Sequence, residues 1–303
     1  MKKSRDGAGK KRGFKIAIII IAIILLIAVF FIFRQKGDVN LAPSQPTQMR
    51  VGVGNANPSI TNLQAIPNVN LNPSPSTTDA LVTFTARDSN GANDLVDSSA
   101  SAQFTNTGEP TRTGTCSLQS TAGKEKTYQC TIGMSYFDKS GSWTAIVNVS
   151  DSQAASAQSS STFTVNLLRD ISITPAIINF PTVAPGDTNV LSTDTTTITN
   201  NGNFEAPPGT ILATAYDLIG ETNPSELIPT ANFKIAGSFQ SNVCGLGETL
   251  SPSSPITLTT SKLPRGPSGS NTEAITYCLT SVPEISSQFY SATGGSSWII
   301  AIN

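Results

Sequence analysis

Histidine is absent from this 303-residue chain. That gap removes the commonest general base and the commonest zinc ligand, and with them triad hydrolysis and histidine-built metal chemistry. Charge is also scarce: Asp, Glu, Lys and Arg together supply 13% of residues, about half the usual share. Cysteine is limited to four positions with no CxxC pair and no zinc-knuckle spacing. The Gly-rich snippets at Gly52/Gly54, Gly245/Gly247 and Gly294/Gly295 lack the following Lys-Ser/Thr of a phosphate loop and read as turns. Whatever chemistry remained would fall to carboxylates, lysines or tyrosines. The carboxylate pairs Asp138 with Glu125 and Asp217 with Glu221 have no enclosing barrel or α/β scaffold around them, so they do not make a glycosidase site. A non-enzymatic protein is expected, with no resident cofactor other than a possible calcium ion.

What the chain does have is an unbroken apolar run over residues 16–33, IAIIIIAIILLIAVFFIF. Eighteen residues at about 1.5 Å per residue extend roughly 27 Å, close to the hydrocarbon thickness of a bilayer. Backbone amides in lipid find no water, so such a run predicts a single membrane-crossing α-helix. Seven Lys and Arg residues precede it against one acid, Asp6, whereas only Arg34 and Lys36 follow before Asp38. Positive charge stays on the cytoplasmic side, which predicts a basic cytoplasmic tail (1–15) and an extracellular remainder: a single-pass cell-membrane protein. The core exceeds the 7–15 residues of a cleaved signal peptide, and no small-x-small site follows it, so a retained signal anchor is expected. From Gly37 onward there are 10 basic and 19 acidic residues. A net acidic ectodomain argues against nucleic-acid binding, which needs a basic footprint.

Residues 34–58 mix Pro, Gly, Asn and Gln with few large apolar groups and read as a flexible linker. Beyond it the pattern is short β segments divided by turn residues. Residues 80–87 (ALVTFTAR) alternate in period two and stop at Asp-Ser-Asn-Gly. With 59–66, 100–106, 113–118, 126–134, 142–150 and 161–168 they make seven strands in one β-sandwich over 59–168. A second series fills 169–303: 171–174, 177–183, 195–199, 210–218, 232–235, 256–260, 274–281 and 297–302. Neither half contains a convincing amphipathic helix, so the fold class is all-β: two sandwiches preceded by one transmembrane helix.

Four cysteines allow three pairings. Their even number and the extracellular setting favour bridges within each half, Cys116 to Cys130 and Cys244 to Cys278. The candidate metal ligands are Asp88, Asn90, Asp94 and Asp97, clustered around a Gly turn; calcium takes six to eight such oxygens. The full EF-hand pattern is missing, and any ion would stiffen the loop. Asn148-Val-Ser150 is the usable glycosylation sequon, since Pro follows Asn57, Asn72 and Asn223.

The stretch from Tyr136 through Gly141 to Trp143, running into an alternating strand, looks like the late hairpin of immunoglobulin-like and PKD-like modules. Together with the ITNNGN segment (198–203) and the closing Phe289, Tyr290 and Trp298, it resembles tandem immunoglobulin-like domains of archaeal cell-surface proteins. The resemblance implies a structural, adhesive or binding role toward other surface proteins or glycans, with Trp143 and Trp298 in cores. Cys116 and Cys130 depart from it, because the usual immunoglobulin bridge joins strands distant in sequence. Two alternatives stand beside this reading. Gly13-Phe14 after a basic stretch resembles a type IV prepilin cleavage point, although Ile18 occupies the fifth mature position where that family usually has Glu; cleavage there would make a filament subunit. The other alternative is a carbohydrate-binding receptor module.

Overall fold

The computed structural model describes residues 20–30, 48–238, 240–292 and 297–303. The chain divides into two compact units, Met1–Val53 and Gly54–Asn303. In the first, residues 20–30 form helix α1, and its large apolar side chains, from Ile20 to Phe30, are exposed. Among the described residues no helix is long and apolar enough to cross a membrane. The rest of the apolar run (16–19 and 31–33), the basic tail with Gly13-Phe14, and linker residues 34–47 lie outside the described residues.

Gly54–Asn303 is all-β, and its described residues form two large hydrophobic cores and a small cluster of Ala236, Val243 and Cys278. The first is enclosed by β1 (Ser59–Leu63), β2 (Thr77–Arg87), β3 (Ser101–Thr105), β4 (Arg112–Ala122), β5 (Glu125–Ser135), β6 (Gly141–Ser150) and β7 (Ser156–Val165). All seven match segments expected from period-two alternation. In β6 the pattern is direct: Trp143, Ala145, Val147 and Val149 face inward, while the residues between them stay half-exposed. Side-chain period two in a pleated strand dictates that arrangement. The β4–β5 hairpin closes over Gly123 and Lys124, with Ala122 paired to Glu125; Gly123 takes φ +61°, which a side chain disfavours.

The two layers are not separate sheets. The strands hydrogen-bond in the order β1-β2-β5-β4-β3-β6-β7, all neighbours antiparallel. The join is β4. Its first residues, Arg112–Thr115, pair with β3, and its remainder from Thr115 pairs with β5. An eleven-residue strand is long enough to change layers while keeping its backbone paired, as strands at sandwich corners do. The sheet wraps until β1 lies against β7, and Val69 adds a parallel bridge to Val165. Inside sit Phe84, Phe104, Tyr128, Ile132, Met134 and Trp143, each fully buried. Each such side chain contributes roughly 1.5–3 kcal/mol on removal from water.

The second core, from Ile171 to Ile302, is built from shorter pieces. Its main sheet runs β15 (Glu248–Thr249), β14 (Phe233–Gly237), β17 (Thr272–Ser281), β10 (Thr196–Asn200) and β8 (Ile171–Thr174), with β9 (Thr188–Leu191) also on β17. Opposite lie β16 (Ile256–Leu258), β11 (Ile211–Thr214) and β19 (Ile299–Ile302). A small sheet of β13 (Leu227–Ile228), β12 (Leu218–Gly220) and β18 (Tyr290–Ser291) and a one-turn helix, α2 (Val243–Leu246), complete it. Residues 177–183, expected as a strand, carry no ladder. Pro175, Pro181 and Pro185 punctuate this stretch, and a ladder needs N–H donors that proline lacks. Ile178, Phe180 and Val183 still pack on the core, so their apolarity reflects a covered loop.

The disulfides are those expected. Cys116 and Cys130 face each other across β4 and β5, with S–S 2.05 Å, and Cys244 on α2 is joined to Cys278 on β17 at 2.04 Å. Trp143 is fully buried and donates Nε1–H to the Lys139 carbonyl at 2.8 Å. Trp298 packs between Phe233 and Tyr277 and donates to the Tyr216 carbonyl at 2.8 Å.

Candidate functional site

Alternating strand direction decides which loops share an end of the first sandwich. β2 and β6 are separated in the sheet order by β5, β4 and β3, so they run the same way and finish at one rim. β1 runs opposite to β2, and therefore begins at that rim. Three segments converge there: 88–97 after β2, 151–155 after β6, and 54–58 before β1.

One carboxylate oxygen from each of Asp88, Asp94 and Asp151 lies within 4.8 Å of the other two. Asp88 is fully buried: its Oδ1 accepts from Asn90 N–H at 2.7 Å, while its Oδ2 accepts no hydrogen bond. Asp151 is also buried; its Oδ1 accepts from the backbone N–H of Gln153 (3.0 Å) and Ala155 (2.8 Å), and its Oδ2 from Asn55 Nδ2 at 2.8 Å. The Asn55 hydrogen bond, aided by the two backbone donors and only partly opposed by burial, holds the Asp151 carboxyl below the usual carboxylate range. Asp94 is half-buried and accepts from the Ser152 hydroxyl, while its carbonyl takes Ser152 N–H at 2.8 Å. Gln153 places its side-chain oxygen 2.9 Å from Asn55 Oδ1 and 3.2 Å from both Asp94 carboxylate oxygens; turning the amide over would make these contacts hydrogen bonds. Among the described residues no lysine or arginine pairs with any of the three acids.

The four loop residues anticipated as ligands thus divide. Asp88 and Asp94 come together. Asp97 leaves the group: its Oδ1 accepts from Lys126 Nζ at 2.7 Å and from the Tyr128 hydroxyl at 2.9 Å. Burial raises the Asp97 carboxyl, but those two hydrogen bonds together with the Lys126 charge outweigh it and hold the group low. Burial, with the same carboxylate, pushes the Tyr128 hydroxyl well above its ordinary value. Asn90 pins the incoming chain instead, accepting from Ala56 N–H at 2.7 Å and donating to the Gly54 carbonyl at 3.3 Å. The end of the segment read as a flexible linker is therefore tied to the rim. Asp151 was missed because it stands more than fifty residues from the loop. No local signal marks it, because its approach to Asp88 depends on β6 running in the same direction as β2 within the sheet.

Asn148 lies in the interior strand β6, paired with Ser101 and Gln158, with its side chain on the half-exposed outer face. The two sandwiches meet at a polar joint. Arg265 grips Glu109 with both terminal nitrogens (3.0 and 2.5 Å) and donates to the Phe137 carbonyl at 2.9 Å. Asn203 donates to the carbonyls of Asp138 and Asn166, each at 3.0 Å, and Tyr136 donates to the Gly266 carbonyl at 3.1 Å. The hydrogen bonds and charge of Glu109 hold the Arg265 guanidinium above its ordinary value. A cleft of about 300 Å³ opens beside this joint, lined in part by Lys139, Arg169, Glu205 and Arg265. Asp138, one of the acids considered for catalysis, is fully buried and held by Arg112 through both carboxylate oxygens; Asp217 accepts from Thr230 N–H and hydroxyl. Both acids serve the fold.

No family model matches this chain, and the search of curated proteins finds no match. Among solved structures, it aligns with a chain described as a chaperone–tip adhesin complex of CFA/I fimbriae biogenesis, at 11% identity over 77% of this chain and 78% of that one, TM-score 0.34. It also aligns with the secreted serine protease VesC from Vibrio cholerae at 10% identity over 78% of this chain, TM-score 0.20, covering 49% of that protein. Similarity at this level does not extend to function.

Proposed function

We propose that this chain is a non-enzymatic, membrane-anchored extracellular protein whose paired immunoglobulin-like sandwiches serve a structural or adhesive role at the cell surface. The observation that carries the reading is the pair of disulfides, each closed within its own sandwich. Such bridges persist in oxidising compartments and are rare in the cytosol. The anchor rests on the apolar run at 16–33 and its basic flank. The immunoglobulin assignment draws support from strand order. Lettering β1 to β7 as A to G, the observed order reads ABED followed by CFG, the arrangement of constant-type immunoglobulin domains. The Cys116–Cys130 bridge joins neighbours D and E rather than B and F, so this sandwich is stapled differently. Partners, whether surface proteins or glycans, would meet the outer sheet faces and rim loops.

Trypsin treatment of intact cells tests the location. Cleavage after the exposed Arg50 should release a fragment beginning at Val51. A chain untouched on intact cells but digested in lysates would place it inside and end the proposal. Sequencing the N-terminus of the native protein tests the anchor, and a mature chain starting at Phe14 would replace it with a filament subunit. The adhesive role is tested by comparing the attachment of cells with and without the chain to glycan and protein surfaces, where equal attachment counts against it.

A further inference from the structure

We infer that the rim of the first sandwich is a calcium site formed by Asp88, Asp94 and Asp151, and that the bound ion staples residues 54–56 to the domain. Three acids brought together from different loops make a concentration of negative charge that the protein itself leaves uncompensated: among the described residues no lysine or arginine pairs with them. Lys126 stands nearby in the fold, yet its ammonium is committed to Asp97 and to the Leu95 carbonyl. Charge alone would not make a site. The independent observation is Asp88, fully buried with one carboxylate oxygen that accepts no hydrogen bond. A buried ionised oxygen without a partner is costly, and natural proteins offset that cost with a donor or a cation.

The donor chemistry and the dimensions select the ion. All the groups are oxygens, which hard cations prefer over the nitrogen and sulfur sets of zinc or copper. Two oxygens bound to one calcium at about 2.3–2.6 Å stand at most about 5 Å apart. The carboxylate oxygens here, within 4.8 Å of one another, fit inside that limit. Turned over, the Gln153 amide donates to both Asp94 carboxylate oxygens at 3.2 Å and to Asn55 Oδ1 at 2.9 Å, which links Asp94 to the incoming chain at Asn55. The three carboxylates would supply one ligand oxygen each, with second carboxylate oxygens and water completing the six to eight that calcium takes.

Asn55 gives the site its structural consequence. Its amide already bridges to Asp151, and Ala56 N–H and the Gly54 carbonyl bond to Asn90 on the loop between Asp88 and Asp94. An ion that fixes Asp88, Asp94 and Asp151 relative to one another fixes the place where the chain enters the sandwich. This follows from the rim geometry and is independent of the surface role proposed above.

The test uses the full chain in detergent, with calcium chloride as titrant in calorimetry. Saturable binding with a dissociation constant near 10⁻⁴ M is expected, in the range of extracellular calcium modules. A tenfold excess over that constant should raise the melting temperature by about 3–6 °C, reversed by chelator. Hydrogen exchange in the peptide spanning 54–58 should slow in calcium. Asp94→Asn, a conservative change at a half-buried position, should weaken binding at least tenfold and abolish both effects. Asp88→Asn should do the same if it folds, and Asp97→Asn should leave binding unchanged. Absence of binding at millimolar calcium, or wild-type affinity in Asp94→Asn, would overturn the site. Magnesium binding as tightly as calcium would overturn the choice of ion. Unchanged exchange at 54–58 in a chain that does bind calcium would overturn the staple.

Discussion

The two sandwiches hold their cores by different means. The first relies on long strands: five of its seven have ten or eleven residues, and one continuous ladder encircles the core. Among the described residues the second has one strand of that length, β17, and spreads the rest over short segments in three sheets. Proline distribution supplies a cause. Twelve of the 19 prolines fall in 169–303 and four in 59–168, and each removes a ladder donor. Where ladders are short, side chains take over the closing of loops. Asn200, for example, donates to the carbonyls of Phe204 (2.7 Å) and Pro264 (3.1 Å), and Glu226 accepts from Ser286, Gln288 and Tyr290. A continuous ladder localises stability in the backbone, whereas a broken one distributes it over polar side chains and cross-links.

That contrast can be broken first at its most buried charge. Arg112→Ala should destabilise the first sandwich by about 3–5 kcal/mol, since it strands the fully buried Asp138 carboxylate. Urea unfolding followed through Trp143 fluorescence checks this, and a loss below about 1 kcal/mol would mean that the strand ladder tolerates the orphaned charge. Next come the bridges. In the chain-entropy picture the 34-residue separation of Cys244 and Cys278 is worth about 4 kcal/mol and the 14-residue separation of Cys116 and Cys130 about 3 kcal/mol. Paired Cys→Ala variants, compared by denaturation, should therefore hurt the second sandwich more.

The joint between the sandwiches gives a smaller effect. Arg265→Ala should cost about 1.5–3 kcal/mol of coupling, the range for hydrogen bonds to charged groups, and should split one thermal transition into two. A single unshifted calorimetric peak would mean that Asn203 and Tyr136 suffice to couple the cores. The smallest effect is on pH dependence. Hydrogen bonds from the Ser286 and Tyr290 hydroxyls hold the Glu226 carboxyl at about 2, against an ordinary 4.5. A depressed carboxylate stabilises the fold above its unfolded pKa, and that stability fades as pH falls from about 4.5 to about 2. Glu226→Gln should flatten the acid limb of the melting curve in that window and leave the rest of the curve parallel to wild type.

The legibility of the sequence follows the same division. In the first sandwich every strand could be read from residues such as Val82, Phe84 and Ala86 alternating with Thr83 and Thr85, because a half-buried strand imposes period two on its own residues. In the second, Ile178, Phe180 and Val183 read as a strand but cover the core as loop, and β9 was not visible at all. Apolarity reports burial, and only the backbone pairing reports a strand. The rim cluster was half legible for a related reason. Asp88 and Asp94 share a turn with Asn90, whereas Asp151 and Asn55 reach them only because β1, β2 and β6 end or begin at one rim.

The sequence by itself determined the all-β class, the strands of the first sandwich and the within-half cysteine pairing. These depend on local periodicity, turn residues and proximity along the chain. The tertiary structure alone decided that β4 joins the two layers into one sheet, that Asp97 goes to Lys126 and that Asp151 comes to Asp88. Each of these is a choice among partners distant in sequence, fixed by strand direction and by the cost of leaving buried charge unpaired, and no local pattern encodes it.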